Sequence, residues 1–255
     1  MIIGYRDFEF DLPNALLVRL VEVLDGMIAA PLNLISLADI PDQAQGVYQL
    51  FFNGDLVYIG KTDAEAGLGS RLRRHYQKIQ HRGNLDPSNV SFKAVRIYVF
   101  TAVDLETQLI NYYGGNSKVQ WNGSGFGSND PGRERDTTKF KEEHFDAKYP
   151  IDVNRPLTFS IPASGTAASI LAVLKNSLPY TLRYENAGGR SRQPHSDLTT
   201  TTITLPQDKI VTAHDVISAI VSQLPSGWQA VRFPSHIILY KDNKNYIYGS
   251  LISRS

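Results

Sequence analysis

The stretch from Gly46 to Tyr76, GVYQLFFNGDLVYIGKTDAEAGLGSRLRRHY, leaves the chain few ways to fold. It opens on Gly46-Val47-Tyr48-Gln49-Leu50-Phe51-Phe52, an apolar run that reads as a strand. Asn53-Gly54 follows, a pair that favours the tight turn of a hairpin. A second run, Leu56-Val57-Tyr58-Ile59-Gly60-Lys61, comes back, so Tyr48 and Tyr58 are expected on neighbouring antiparallel strands. A loop from Thr62 to Ser70 contains the breakers Gly67, Gly69 and Ser70. Ser70 is expected to cap a basic helix, SRLRRHYQKIQ, on which Arg71 and His75 are four apart and share a face.

Composition narrows the class. A chain of 255 residues can bury a good core and hold one domain or two. Hydrophobic content of 42% and charged content of 20% fit a globular protein. The absence of cysteine excludes disulfides, thiolate metal sites and a cysteine nucleophile; the cytoplasm is the default compartment. No stretch is long enough to span a membrane, and MIIGYRDFEF does not read as a signal peptide. Net charge is only +1, so whole-chain electrostatics do not announce a nucleic-acid partner. The positive charge is local: Arg71, Arg73, Arg74, Lys78 and Arg82 fall between Ser70 and Arg82 with no acid among them. Such a run reads either as a solvated helix face or as a phosphate-binding one.

The ordered set Gly46-Val47-Tyr48, Tyr58-Ile59-Gly60 and Arg71-x-x-x-His75 resembles the GIY-YIG nuclease superfamily. Any one of these motifs is weak; the three in one strand–turn–strand–helix frame are specific. The resemblance implies an α+β core of a small antiparallel sheet flanked by helices. A third strand is read at Ser91–Phe100 and a helix at Leu105–Tyr113, with Asp104 as its N-cap. A first-turn acid such as Glu106 complements the helix dipole. The superfamily also carries its metal-binding glutamate on the helix after its third strand, and Glu106 is the acid in that register.

The glycine-rich segment VQWNGSGFGSNDPGRER, Val119 to Arg135, reads as an irregular loop. Its Trp121-Asn122, Gly125-Phe126-Gly127 and Asp130-Pro131-Gly132, with Leu72-Arg73-Arg74-His75 and Asn84-Leu85-Asp86, resemble one branch of the superfamily. That branch comprises type II restriction endonucleases that cut CCGCGG. It carries a long insertion between its tyrosine motifs, whereas a minimal hairpin joins Tyr48 and Tyr58. The target sequence is therefore not carried over.

The resemblance covers roughly residues 40–150. Residues 1–45 read as a helical lead-in. Asn14 after Pro13 is expected to cap a helix with Leu17, Leu20, Val21 and Leu24 on one face, ended by Gly26. Residues 46–150 read as the nuclease core. Residues 150–156, PIDVNRP, read as a linker to a second α+β domain at 157–255 of unknown role. There, strand, proline, helix, Leu-Pro and strand recur twice: Leu157–Pro162, Thr166–Leu178 and Tyr180–Tyr184, then Thr202–Pro206, Ala213–Leu224 and strands at Trp228–Tyr240 and Lys244–Leu251. The order suggests a pseudo-repeat of β-α-β modules similar to those at the N-terminus of secretins. Between the copies, Asn186 to Thr201 reads as a surface loop or as a basic arm on DNA.

Phosphodiester hydrolysis needs an activated water, charge neutralisation at the phosphate and help for the leaving oxygen. By the resemblance, Tyr48 orients or deprotonates the water. A free phenol has a pKa of about 10, so His75 or a cation must assist it. Arg71 binds a phosphate oxygen, Tyr58 joins the phosphate or water network, and Asn122 ties the loop to the hairpin. Glu106 is the single protein ligand of Mg²⁺, with Mn²⁺ as a substitute. Lys61, Arg73, Arg74, Lys78, Arg133 and Arg135 are the DNA-binding candidates. The expected protein is a sequence-specific restriction endonuclease acting on double-stranded DNA as a homodimer, alongside a cognate DNA methyltransferase. The alternatives are a repair or mobile-element nuclease and a non-catalytic DNA-binding module. No HExxH, GxSxG or GxxxxGK[ST] pattern supports a zinc, serine or nucleotide site.

Overall fold

The structure, a computed structural model, describes residues 4–7, 11–62, 65–98, 104–128, 132–188, 191–206 and 211–255. The chain divides into two compact units, Met1–Tyr76 with Asp86–Gly123, and Gln77–Leu85 with Ser124–Ser255. This division does not fall at 150–156. Residues 124–150 group with the C-terminal half because their polar side chains are held there: the buried Asp136 accepts from Arg183 and His236.

In the first unit, α1 spans Leu12–Gly26. Its cap is Asp11, whose carboxylate accepts from Asn14 N, and not Asn14 itself. Pro13 fits the first turn, where a missing N–H leaves no bond unmade. Then come β1 (Ala30–Pro31), β2 (Gly46–Phe52) and β3 (Asp55–Thr62). The Asn53-Gly54 turn has φ of 54° and 88°, the left-handed pair a two-residue hairpin needs. Helix α2 runs Leu68–Ile79. It starts two residues before the expected cap Ser70, since Leu68 N already donates to Ala44 O at 2.7 Å. Beyond a 3-10 turn at Pro87–Asn89 lie β4 (Val90–Arg96) and α3 (Leu105–Tyr112). Strand β4 is shorter than the expected 91–100, and Val99 and Phe100 lie outside the described residues. Asp104 caps α3 by accepting from Thr107 N.

These strands form one antiparallel sheet in the order β1-β4-β2-β3. Side chains alternate across it. Val47 and Ile59 point to the face covered by α1 and α3, where they pack with Leu20, Val21, Leu24, Leu105 and Leu109. Gly46, Tyr48, Tyr58 and Gly60 point to the opposite face, toward α2.

The second unit contains a 3-10 turn at Gly132–Asp136 and the short helix α4 (Phe145–Lys148). Next are β5 (Ser164–Thr166), α5 (Ala167–Ser177) and β6 (Thr181–Tyr184). Then follow α6 (Ser196–Thr200), β7 (Thr202–Thr204) and α7 (Ala213–Val221). The unit closes with β8 (Gln229–Arg232), β9 (His236–Tyr240) and β10 (Ser250–Arg254). Helices α5 and α7 fall close to the sequence reading. The expected strand at 157–162 is absent, and the expected strand at Lys244–Leu251 starts only at Ser250.

The twofold recurrence does not make two β-α-β modules. β5 pairs with β7 in a separate two-stranded sheet, while β6 and β8 belong to a four-stranded sheet ordered β10-β8-β9-β6. A β-α-β module needs both its strands in one sheet. Part of the expected loop 186–201 is helix α6, capped by His195. Ile170, Leu171, Leu174, Ile217, Ile220 and Val221 are all buried in this unit's own core. Among the described residues no helix is long and apolar enough to cross a membrane.

Candidate active site

Two glycines explain the shape of the site. Tyr48 on β2 lies opposite Gly60 on β3. A Cβ at Gly60 would sit 2.4 Å from the Tyr48 hydroxyl oxygen, so the ring can lie flat over β3 only if that position has no side chain. A Cβ at Gly46 would sit 2.2 Å from Val95 O, so the start of β2 can meet β4 only as glycine. The first and last residues of the two tyrosine motifs are thus set by close approach.

The Tyr48 ring then meets α2. Its hydroxyl is 2.7 Å from His75 Nε2, and both residues are buried. Tyr58 packs against both: its ring centroid is 6.0 Å from that of Tyr48 and 5.3 Å from that of His75. Burial pushes the Tyr48 phenol well above its ordinary pKa, and the neighbouring Tyr58 adds to this, so Tyr48 is a proton donor at neutral pH. Tyr58 is raised chiefly by burial and next by the Glu106 charge.

Arg71, one helical turn before His75, faces the same cluster. Its charge pulls the pKa of Tyr48, Tyr58 and Glu106 downward, against the larger effect of burial. Among the described residues it has no carboxylate partner within ion-pair distance. Glu106 stands in the first turn of α3, and its Oε2 accepts from Lys61 N at 3.3 Å. Burial raises its pKa, so a cation beside it would offset a real cost. Tyr48, Tyr58, Arg71, His75 and Glu106 therefore converge, although they come from two strands and two helices. No family model matches this chain, and no curated protein is significantly similar to it.

Asn122 does not touch the phenols. Its Oδ1 accepts from Ile59 N and its Nδ2 donates to Ile59 O, both at 2.8 Å. β3 is the outer strand there, and the Asn122 amide stands in for a further strand. Trp121 N donates to Val57 O at 2.8 Å, the residue bulged out of the β2–β3 ladder. The Trp121-Asn122 pair thus fixes the backbone on either side of Tyr58. It is a positioning device.

The basic candidates separate into two groups. Arg74 is exposed on α2 and its charge reaches Tyr58. Lys61 Nζ pairs with Asp104 Oδ1 at 2.9 Å, joining β3 to the cap of α3. Sequence alone hid this clamp, since the partners are 43 residues apart. The others are committed elsewhere. Arg73 binds Asp42 at 2.6 Å and Leu37 O at 2.9 Å. Lys78 donates to Gly125 O and Phe126 O, and so holds the glycine-rich loop. Arg133 pairs with Glu185, and Arg135 lies over Phe140. Asp130 and Pro131 of the loop motif lie outside the described residues.

Among the described residues no three His, Asp or Glu side chains cluster to hold a metal. The carboxylate available to the tyrosine site is Glu106. One carboxylate with waters and phosphate oxygens suits Mg²⁺, which dehydrates reluctantly.

Proposed function

We propose that this protein is a Mg²⁺-dependent DNA endonuclease of the GIY-YIG type, acting at specific sequences as a restriction enzyme. The observation that carries this reading is the 2.7 Å contact between the Tyr48 hydroxyl and His75 Nε2, set beside an arginine with no carboxylate partner among the described residues and a half-buried glutamate. Tyr48 is too buried to act as a standing phenolate, and the contact supplies what it needs. As water attacks phosphorus, its proton passes to the Tyr48 oxygen while the Tyr48 proton passes to His75 Nε2. The new P–O bond forms as the bond to the 3′ oxygen breaks, and that oxygen takes a proton from solvent. Arg71 meets the phosphate oxygens with a planar fork of donors as negative charge builds there. Tyr58 orients the water or the phosphate. A divalent cation held by Glu106 would supply charge neutralisation at the phosphate and the leaving oxygen.

Restriction-type specificity draws on the Trp121–Arg135 loop resemblance, and a cognate DNA methyltransferase is the partner that such an activity requires. The test is digestion of unmethylated plasmid DNA with and without Mg²⁺. Discrete fragments that need Mg²⁺ are the expected result. A smear points to a repair or mobile-element nuclease instead, and bound but intact DNA points to a non-catalytic binding module.

A further inference from the structure

The outer edge of the first unit's sheet is open. β1 pairs with β4 at Ala30↔Phe92 and Pro31↔Ser91 and goes no further. From Lys93 to Arg96, no described strand lies on the side of β4 away from β2. The ladder shows which groups face out. Ile97 N donates to Gln45 O, and the register continues through Val47↔Val95 and Gln49↔Lys93. In an antiparallel ladder these alternate pairs exchange bonds with β2, so the N–H and C=O groups of Ala94 and Arg96 point outward. Leu32 N donating to Val90 O follows the same alternation. Natural sheets blunt such edges with charged side chains, prolines, bulges or covering segments. Residues 93–96 carry no proline and no bulge, and of their two charges Lys93 is bonded to Leu24 O.

Beside this edge lies a groove of about 210 Å³, lined by Met27, Ile28, Ile40, Pro41 and Phe92, with Asp39, Lys93 and Arg96 as its charges, of which Lys93 donates to Leu24 O at 2.8 Å. Ile28 is 95% exposed and projects from the same patch. Asp39 has no cation partner among the described residues. Arg96 lies over the exposed ring of Tyr98, 4.5 Å from its centroid, with no carboxylate partner among the described residues.

We propose that two copies of this chain join through this edge, β4 against β4, about a two-fold axis perpendicular to the sheet. A two-fold contact sets a patch against itself, so the patch must carry both members of every pair. This one does: an apolar projection beside an apolar groove, and an acid beside a base. Antiparallel pairing of a strand with its own copy is itself two-fold symmetric. The buried faces of α5 and α7 offer no comparable surface. One consequence rests on the nuclease reading. A two-fold axis perpendicular to the sheet keeps the same face upward in both copies. Tyr48 lies opposite Ala94 on β4, so both tyrosine sites face the same side, where one duplex can meet them.

Light scattering of the DNA-free full chain tests the interface. The wild type is expected at twice 28.4 kDa. Ala94→Pro removes one outward N–H and leaves the bonds to β2, which its neighbours make, and proline is tolerated at a sheet edge. It is expected to run as a monomer with an unchanged far-UV circular dichroism spectrum. Asp39→Lys and Arg96→Glu are each expected to be monomeric. The double variant Asp39→Lys/Arg96→Glu is expected to recover the dimer, which general misfolding cannot do. A monomeric wild type, or a dimer that survives Ala94→Pro and both single reversals, overturns the interface. The nuclease reading fails separately: a dimer that leaves DNA intact in Mg²⁺ keeps this interface and removes that reading. A monomeric variant that nicks supercoiled plasmid without linearising it supports both.

Discussion

The carboxylate of Asp136 and the phenol of Tyr48 are both removed from water, and they are wired in opposite ways. Asp136, in the second unit, accepts from Arg183, from His236 Nε2 at 2.8 Å and from the Tyr240 hydroxyl at 3.4 Å. His236 is in turn bound at Nδ1 by the Ser235 hydroxyl at 2.8 Å and stacked on Phe233. The Asp136 carboxylate is answered by the Arg183 guanidinium. A serine–histidine–aspartate chain placed like this looks catalytic on paper, yet its aspartate is already neutralised by arginine. Tyr48, in the first unit, meets the His75 ring at 2.7 Å and no carboxylate. Arg71, whose charge reaches it, has no carboxylate to answer it among the described residues. On the proposed reading the difference separates scaffold from chemistry: a carboxylate answered by a guanidinium fixes a fold, and a guanidinium without a carboxylate can receive an anion.

The comparison breaks most visibly if Asp136 is removed. Asp136→Ala takes the carboxylate away from the buried Arg183 guanidinium and from His236 Nε2, a loss of about 3–5 kcal/mol. Urea unfolding should show it, together with loss of whatever activity depends on the fold. Tyr48→Phe should do the reverse. It should cost only about 1 kcal/mol of stability. Cleavage should slow by ~10²–10³, as for loss of one transition-state contact. Arg71→Ala should behave like Tyr48→Phe. If both variants cut within a few-fold of wild type while their unfolding curves are unchanged, the first unit is scaffold too.

Asn122→Leu sharpens the boundary between the two roles. It leaves the N–H and C=O of Ile59 without partners on a buried strand edge, for a loss of about 1–3 kcal/mol. Cleavage should fall along with stability, through misplacement of Tyr58. Unchanged stability with abolished cleavage would make Asn122 a catalytic residue and not a positioning one. Lys61→Ala is the mildest test. The Lys61–Asp104 pair is largely exposed, so unfolding should shift by only about 0.2–1 kcal/mol.

How far the sequence reaches is visible in these residues. The Asn53-Gly54 turn, the paired tyrosines and the Arg71–His75 face are local patterns, and each lies where the spacing puts it. Asp104 as a cap was equally local. The sequence could not say which cations of the basic run remain available. That depends on Asp42 and on the carbonyls of Gly125 and Phe126, partners set by tertiary packing. Nor could it say that β5 and β7 pair with each other, because strand–helix–strand order is the same for several topologies. Asp136, just after the glycine-rich segment, gave no sign that Arg183 and His236 would close on it from 47 and 100 residues away.

Glu106 is where the two kinds of buried group meet, since it is half-buried, feels the charges of Lys61 and Arg71, and has no cation within ion-pair distance among the described residues. Burial raises its pKa. Its ionised form therefore costs stability in the metal-free protein. That cost is absent below the ordinary carboxylate pKa and complete once pH passes the folded-state value. Glu106→Gln should leave the metal-free protein at neutral pH at least as stable as wild type, and should remove any stabilisation by Mg²⁺ seen in thermal unfolding. The direct measurement is cleavage of supercoiled plasmid in Mg²⁺ by wild type and by Glu106→Gln, with DNA binding followed in parallel. Wild type is expected to cut in Mg²⁺ and not in chelator, while the variant binds the same DNA and leaves it intact. A Glu106→Gln variant that cuts at the wild-type rate, or a wild type that leaves DNA whole in both Mg²⁺ and Mn²⁺, would contradict it.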